Sequence, residues 1–140
     1  YDLGQSQFTV LGPVGDYEDE LNDWSVGIRL TDGNHSFVMC GDAETEAEED
    51  MARSGLNLSA DVLKSGHHGS RTSSSPEFLE AVSPSWAVIS CGKGNSYGHP
   101  HKETLKKYAE HRIQVLRTDE KGTIIASSSP EGLTWTYTKK

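Results

Sequence analysis

A mixed α/β fold is what this sequence predicts, with one mixed sheet carrying helices mainly on one face. Three observations predict it. Three short apolar runs, residues 37–40, 60–64 and 86–91, each pass into a polar loop opened by a glycine. Segments of helical spacing follow each run, the alternation expected of parallel strands joined by crossover helices. Short alternating runs precede and follow this block, so extra strands and hairpins should flank it.

Taken in order, Gln7-Phe8-Thr9-Val10-Leu11 alternates as a short strand and is stopped by Gly12-Pro13. Residues 14–23 are acidic and irregular. Ser25-Val26-Gly27-Ile28-Arg29-Leu30 alternates toward a turn at Thr31-Asp32-Gly33-Asn34, and residues 35–40 return, which makes 25–40 a β-hairpin. Asp42 is a candidate N-cap for a helix over 43–56, with Glu44 and Glu46 at the positive end of its dipole. Ala47, Met51 and Ala52 give that helix a narrow apolar stripe, Gly55 stops it, and the acidic run 44–50 reads as its solvated face. Ser75-Pro76-Glu77 opens a second helix, serine as cap and proline at the first helical position, with Phe78, Leu79 and Val82 inward. A third helix begins at Pro100 or His101 and runs to about residue 111. It turns Leu105, Tyr108 and Ala109 inward and Lys102, Lys106 and Lys107 outward. Residues 114–117, 122–127 and 133–138 close the chain as three short strands. The expected order is β-β-β-α-β-α-β-α-β-β-β.

At 140 residues the chain has the length of one domain or a part of one. It starts at Tyr1, almost in a strand, so a piece of a longer protein is expected. No apolar run approaches the ~20 residues of a membrane-spanning helix. The net charge of −8 argues against a broad basic surface for nucleic acid, yet leaves room for a phosphodiester whose charge is met by bound cations. Cys40 and Cys91 lie late in apolar strands with no Cys-x-x-Cys spacing, so buried thiols are expected before a disulfide or a cysteine metal site.

The chemistry-bearing residues collect after the three central strands. Val62-Leu63-Lys64-Ser65-Gly66-His67-His68-Gly69-Ser70 runs from a strand into two adjacent histidines, and His99-Pro100-His101 follows the strand at 86–91. Asp42 stands at the matching place after the strand at 37–40. Imidazole nitrogen and carboxylate oxygen are natural donors to zinc or manganese. His99 and His101, two residues apart in an extended loop, can aim at one point. His67 and His68 should diverge, one facing the site and the other bonding a neighbouring segment. Lys64 either meets a phosphate or developing anion, or carries its charge out to water. Ser70 and the hydroxyls of Thr72, Ser73, Ser74 and Ser75 either donate to phosphate or shape a helix entry. His35 and His111 read as structural or surface residues. A serine nucleophile is disfavoured, because no Gly-x-Ser-x-Gly elbow occurs.

Asn22-Asp23-Trp24-Ser25 before the hairpin, Gly41-Asp42 after it, then Leu63-Lys64-Ser65-Gly66-His67-His68-Gly69-Ser70 and Asn95-Ser96-Tyr97-Gly98-His99-Pro100-His101, together resemble the C-terminal half of a metallo-β-lactamase-fold hydrolase. More narrowly they resemble the hydrolase domain of the ComEC family of DNA-uptake competence proteins and their stand-alone relatives. The resemblance extends over nearly the whole chain and takes in Thr118-Asp119 and Gly122. It implies half of an αββα sandwich whose strand ends hold one or two divalent ions, zinc or manganese, that activate water for attack on a phosphodiester or similar ester. By position it matches Asp42 to the late aspartate that can bridge two metals, and puts His67 or His68, and His99, where late ligands or substrate-facing groups lie. With the residue chemistry above, the expected metal ligands are Asp42, His67 and His99, the expected catalytic groups Lys64 and His68, and the expected substrate-binding ones Ser70, Asn95 and His101. It assigns no role to Asn22, Asp23 or Ser25. The family's upstream His-x-His-x-Asp-His is absent here. Residues 1–140 are therefore expected to be a partial domain with an under-coordinated metal, inactive alone, that completes itself with a missing N-terminal half or self-associates through its open sheet face. The expected partner is a nucleic-acid substrate, and the expected setting a membrane-associated parent on the extracytoplasmic side. The alternatives are a non-catalytic DNA-handling or assembly module that keeps the fold, and a hydrolase of small-molecule esters or lactones.

Overall fold

The computed structural model describes residues 1–139. Its strands are β1 (Asp2–Leu3), β2 (Ser6–Gly12), β3 (Gly27–Asp32), β4 (His35–Met39), β5 (Val62–Lys64), β6 (Trp86–Ile89), β7 (Gln114–Arg117), β8 (Ile124–Ser129) and β9 (Gly132–Tyr137). Its helices are α1 (Thr45–Arg53), α2 (Pro76–Val82), α3 (Lys102–Glu110) and the single turn α4 (Thr118–Lys121), with 3₁₀ turns at Leu21–Trp24 and Gly66–Gly69. Strands β1 to β7 form one sheet in sequence order, while β8 and β9 pair apart from it. The first four strands are antiparallel to one another, and β4 to β7 are mutually parallel. The α/β class and the mixed sheet expected from the sequence are present.

The parallel run explains the layering. Each step from β4 to β7 moves one place in the same direction, so crossovers of one hand lay α1, α2 and α3 on the same face. Val38, Leu63, Ala87 and Ile89 from that face form the core with Ala47 and Met51 of α1, Phe78, Leu79 and Val82 of α2, and Tyr108 of α3. Full burial of one such Phe, Leu or Val side chain contributes roughly 1.5–3 kcal/mol. Strand residues of the other parity, Phe37, Met39, Val62 and Val88, face the hairpin of β8 and β9 through Ile124, Ala126 and Trp135. Trp86 and Trp135 rings meet there at 5.2 Å, and His35 Nδ1 lies 2.9 Å from Ser128 Oγ. The terminal hairpin thus covers the middle of the sheet face that the sequence leaves open.

Ser75 caps α2 as its sequence predicts, its Oγ accepting from the Phe78 N–H, with Pro76 first in the helix. Other expectations need correction. Helix α1 begins at Thr45, and Asp42 does not cap it. The Glu44 N–H is met instead by Asp23 Oδ1 at 2.7 Å, which leaves the Asp42 carboxylate free. The run 44–50 is not wholly solvated: Glu48 is 1% exposed and accepts from the Ser74 and Ser75 N–H groups at 2.8 and 2.7 Å. Lys107 does not point away, since its ammonium donates to the carbonyl of Ser73 at 3.0 Å. Cys40 is buried, whereas Cys91 is only partly so. Neither β1 nor α4 is foreseen, both being too short to show a period.

Burial pushes the Glu48 carboxyl up to about 7, against the pull of the Ser75 and Ser74 amides and of Lys107. The folded state then binds more protons than the unfolded one between the ordinary value of 4.5 and about 7, and stability falls as pH rises through that window. We expect chemical-denaturation midpoints measured from pH 4 to 8 to show this loss in the wild type and not in Glu48→Gln. The gap between the two should change by up to roughly 3 kcal/mol in favour of the variant as pH rises. Parallel pH profiles would remove Glu48 as the cause.

Candidate functional site

Because β4, β5 and β6 are parallel, the segments leaving their C-terminal ends meet at one edge of the sheet. Asp42 follows β4, His67 and His68 occupy the 3₁₀ turn after β5, and the loop 90–101 follows β6. They enclose a cleft of about 370 Å³ lined by Asp42, His67, His68, Asn95, Tyr97 and His99.

His67 and His68 both have left-handed backbones, at φ 45° and 55°. Such conformations cost of order 1–3 kcal/mol each for non-glycine residues and persist only where surroundings enforce them. Here the His67 N–H donates to the Gly41 carbonyl at 3.1 Å, and its own carbonyl accepts from Ser70 N–H at 2.9 Å. Gly69 closes the turn at φ +81°, where a Cβ would stand 2.7 Å from Pro100 Cβ, so only glycine fits.

The two histidines diverge. His68 Nδ1 lies 2.8 Å from the Ser90 carbonyl and must be the donor there, which leaves Nε2 with its lone pair when the ring is neutral. That Nε2 stands 3.6 Å from Asp42 Oδ1. His67 turns its Nδ1 inward. Glu44 Oε1 comes within 3.1 Å of it but off the N–H line, so Nδ1 is buried without a hydrogen-bond partner. His99 packs between neighbours, its ring 5.7 Å from that of His67, 6.4 Å from His68 and 4.8 Å from His101. Burial and then these imidazoles hold its pKa below the usual range. Among the described residues, no three His, Cys, Asp or Glu side chains converge closely enough to hold a metal by themselves. Imidazole and carboxylate groups thus share one cleft without forming such a cluster.

The remaining candidates lie as follows. Lys64 Nζ folds back onto the Ser65 carbonyl at 2.8 Å; burial lowers its pKa, opposed by Asp42 and Cys91. Ser70 is 5% exposed, and its Oγ meets Thr72 Oγ1 at 3.0 Å. Asn95 bridges its own loop, donating to the carbonyls of Gly92 and His99 and accepting from the His99 N–H at 3.0 Å. His101 accepts from Arg71 N–H at 3.0 Å and donates to the Tyr97 carbonyl at 3.2 Å, so both its nitrogens serve the loop.

Sequence reasoning missed Glu44 and Glu48 as parts of this region, and left Asn22, Asp23 and Ser25 without a role. All three act on the segment leading out of β4. Asp23, 4% exposed, takes the Glu44 N–H; Asn22 Nδ2 donates to Glu44 Oε1 at 3.3 Å; Ser25 Oγ accepts from Asp42 N–H at 3.1 Å. The signal was the tight grouping of three capping-type side chains before a strand.

No protein-family model matches the chain. It is 42% identical over 118 residues to ComE operon protein 3 of Bacillus subtilis, across 84% of this chain and 15% of that protein. It is 42% identical over 118 residues to Competence protein ComA of Neisseria gonorrhoeae, across 84% of this chain and 17% of that one. Recombination protein 2 of Haemophilus influenzae is 34% identical over 117 residues, with 84% and 15% covered. The chain thus spans about a sixth of the length of these relatives.

Asn95→Ala removes the three hydrogen bonds that the Asn95 side chain makes within the His99 loop. At roughly 1 kcal/mol for one lost hydrogen bond, the His99 amide should exchange with solvent deuterium at least about fivefold faster. Unchanged exchange would mean that the loop is braced elsewhere.

Proposed function

We propose that this chain is a portion of a DNA-uptake competence protein and supplies one wall of a metal-dependent hydrolase site for nucleic-acid phosphodiester bonds. The observation that carries the reading is the gathering of Asp42, His67, His68 and His99 around one cleft at the shared edge of three parallel strands. The names of the relatives support the setting, and the donor types support the chemistry.

Asp42, His67 and His99 would hold the cation from this side, the remaining donors coming from outside these 140 residues. A divalent zinc or manganese ion there would neutralise a phosphoryl oxygen and lower the pKa of bound water. The chain's own groups do the rest. The Ser90 carbonyl orients His68 so that its Nε2 faces the cleft and can take a proton from water. The Lys64 ammonium, drawn toward Asp42, can move to the charge that develops on a leaving oxygen. Asn95 fixes the backbone that presents His99. With a net charge of −8, the chain offers a polyanion little attraction beyond such a cation. The rival reading, a DNA-handling module without chemistry, is favoured by the lack of a three-donor cluster among the described residues.

The test uses the full-length parent beside the isolated chain, with end-labelled DNA, manganese or zinc, and a chelator. The parent should cut DNA in a chelator-sensitive way, and Asp42→Asn should slow it by about a hundredfold or more. The isolated chain should neither cut DNA nor bind zinc tightly at one equivalent. A parent that cuts nothing supports the non-catalytic module. Cutting indifferent to Asp42→Asn removes Asp42 from the site, and tight stoichiometric zinc in the isolated chain contradicts a shared one.

A further inference from the structure

The geometry points to Glu44 as a positioning residue that fixes His67 as its Nδ1–H tautomer, with Asn22, Asp23 and Thr72 as the clamp that holds Glu44 in place. His67 Nδ1 is buried, and its nearest charged neighbour is Glu44 Oε1 at 3.1 Å. A lone pair on Nδ1 would face a carboxylate oxygen and repel it; a proton there is attracted. The proton therefore belongs on Nδ1, and the lone pair on Nε2, the nitrogen left for the cleft that His67 lines.

Glu44 is placed for this by two other segments. Its Oε1 accepts from Thr72 Oγ1 at 3.0 Å and from Asn22 Nδ2 at 3.3 Å, so the oxygen facing His67 is pinned from two sides. Its N–H is anchored at 2.7 Å by the buried carboxylate of Asp23. Ser25 Oγ, from the same four-residue segment, accepts from the Asp42 N–H at 3.1 Å. A Cβ on Gly41 would stand 3.1 Å from Ser25, so this segment packs closely on the turn between β4 and Asp42. One short 3₁₀ turn and the serine that ends it thus set two groups of the cleft: Asp42 directly, and His67 through Glu44. It gives the Asn-Asp-Trp-Ser segment the role that its sequence does not reveal.

The proposal rests on the hydrolase reading only for the use made of Nε2; the tautomer is a property of this chain. It is tested by long-range ¹H–¹⁵N correlation on ¹⁵N-histidine-labelled protein above the titration range, with His67 signals assigned by their loss in His67→Gln. The wild type should show His67 protonated at Nδ1, and a wild-type His67 protonated at Nε2 overturns the proposal outright. In Glu44→Ala the pattern should shift toward Nε2–H, and in Asp23→Ala to a mixture. A folded Glu44→Ala, judged by the dispersed indole signals of Trp86 and Trp135, that keeps the wild-type pattern also overturns it. If Glu44→Ala fails to fold, Thr72→Val supplies the variant reading: releasing Glu44 Oε1 on one side should produce the mixture, and an unchanged pattern overturns the clamp. In the parent's hydrolysis assay Glu44→Ala should lower kcat by about tenfold at unchanged KM. A His67 held as Nδ1–H in a parent that cuts no DNA would leave the clamp standing and remove only the hydrolase reading.

Discussion

The interaction on which the rest of this structure depends is the buried hydrogen bonding around the loop from Ser65 to Ser75. Glu48 of α1 accepts from the Ser74 and Ser75 amides, and the Tyr108 hydroxyl of α3 meets Ser65 Oγ at 2.6 Å and Ser74 Oγ at 2.7 Å. Ser73 Oγ donates to the Ala43 carbonyl and Thr104 Oγ1 to that of Ser70. Two helices, and the turn that leads into one of them, thereby nail down a loop with few apolar side chains of its own. In a dry interior each of these bonds is strengthened, and each one lost would strand its partner. That is why a loop of serines can be rigid.

Rigidity there is what allows strain one turn away. His67 and His68 hold consecutive left-handed backbones that no sequence preference supplies. The turn stays because its entry is bonded to Gly41, its exit is fixed at Ser70, and Gly69 lets Pro100 close over it. The outcome is two adjacent imidazoles aimed at different partners: His68 at the Ser90 carbonyl and Asp42, His67 at Glu44. A regular strand or helix would have sent them to set faces. The strained turn lets a two-residue step serve one cleft from two directions.

Much of this was legible in the sequence, for identifiable reasons. The parallel strands could be read because their apolar runs are continuous and break at glycine, and α2 because Ser75-Pro76 is both cap and start. Those same breaks placed Asp42, His67 and His99 at one edge before any coordinates. What stayed hidden was pairing across distance. Glu48 belongs to an acidic run that periodicity assigns to solvent, and only the Ser74 and Ser75 amides, 26 and 27 residues away, make its burial tolerable. Asp23 is likewise a surface residue by type, and is buried because it answers one N–H, that of Glu44. Asn95 and His101 look like ligands by type, but whether a polar side chain faces a cleft or its own loop depends on bonds that spacing does not encode.

The cations of the chain bear on what could neutralise a substrate at this edge. Arg53 is engaged by Glu49 and Glu77, Arg117 by Asp119 and Glu120, and Lys107 by backbone carbonyls. Lys64 lies with Met39 and Val88 on the sheet face beside the terminal hairpin, its ammonium bonded to the Ser65 carbonyl and partly desolvated. A phosphodiester arriving at Asp42 would meet that carboxylate at close range, where like charges repel. The arrangement becomes favourable only when a cation stands between carboxylate and phosphate, where it reverses the sign of the local field. On the proposed reading, then, the acidic composition and the cleft belong together.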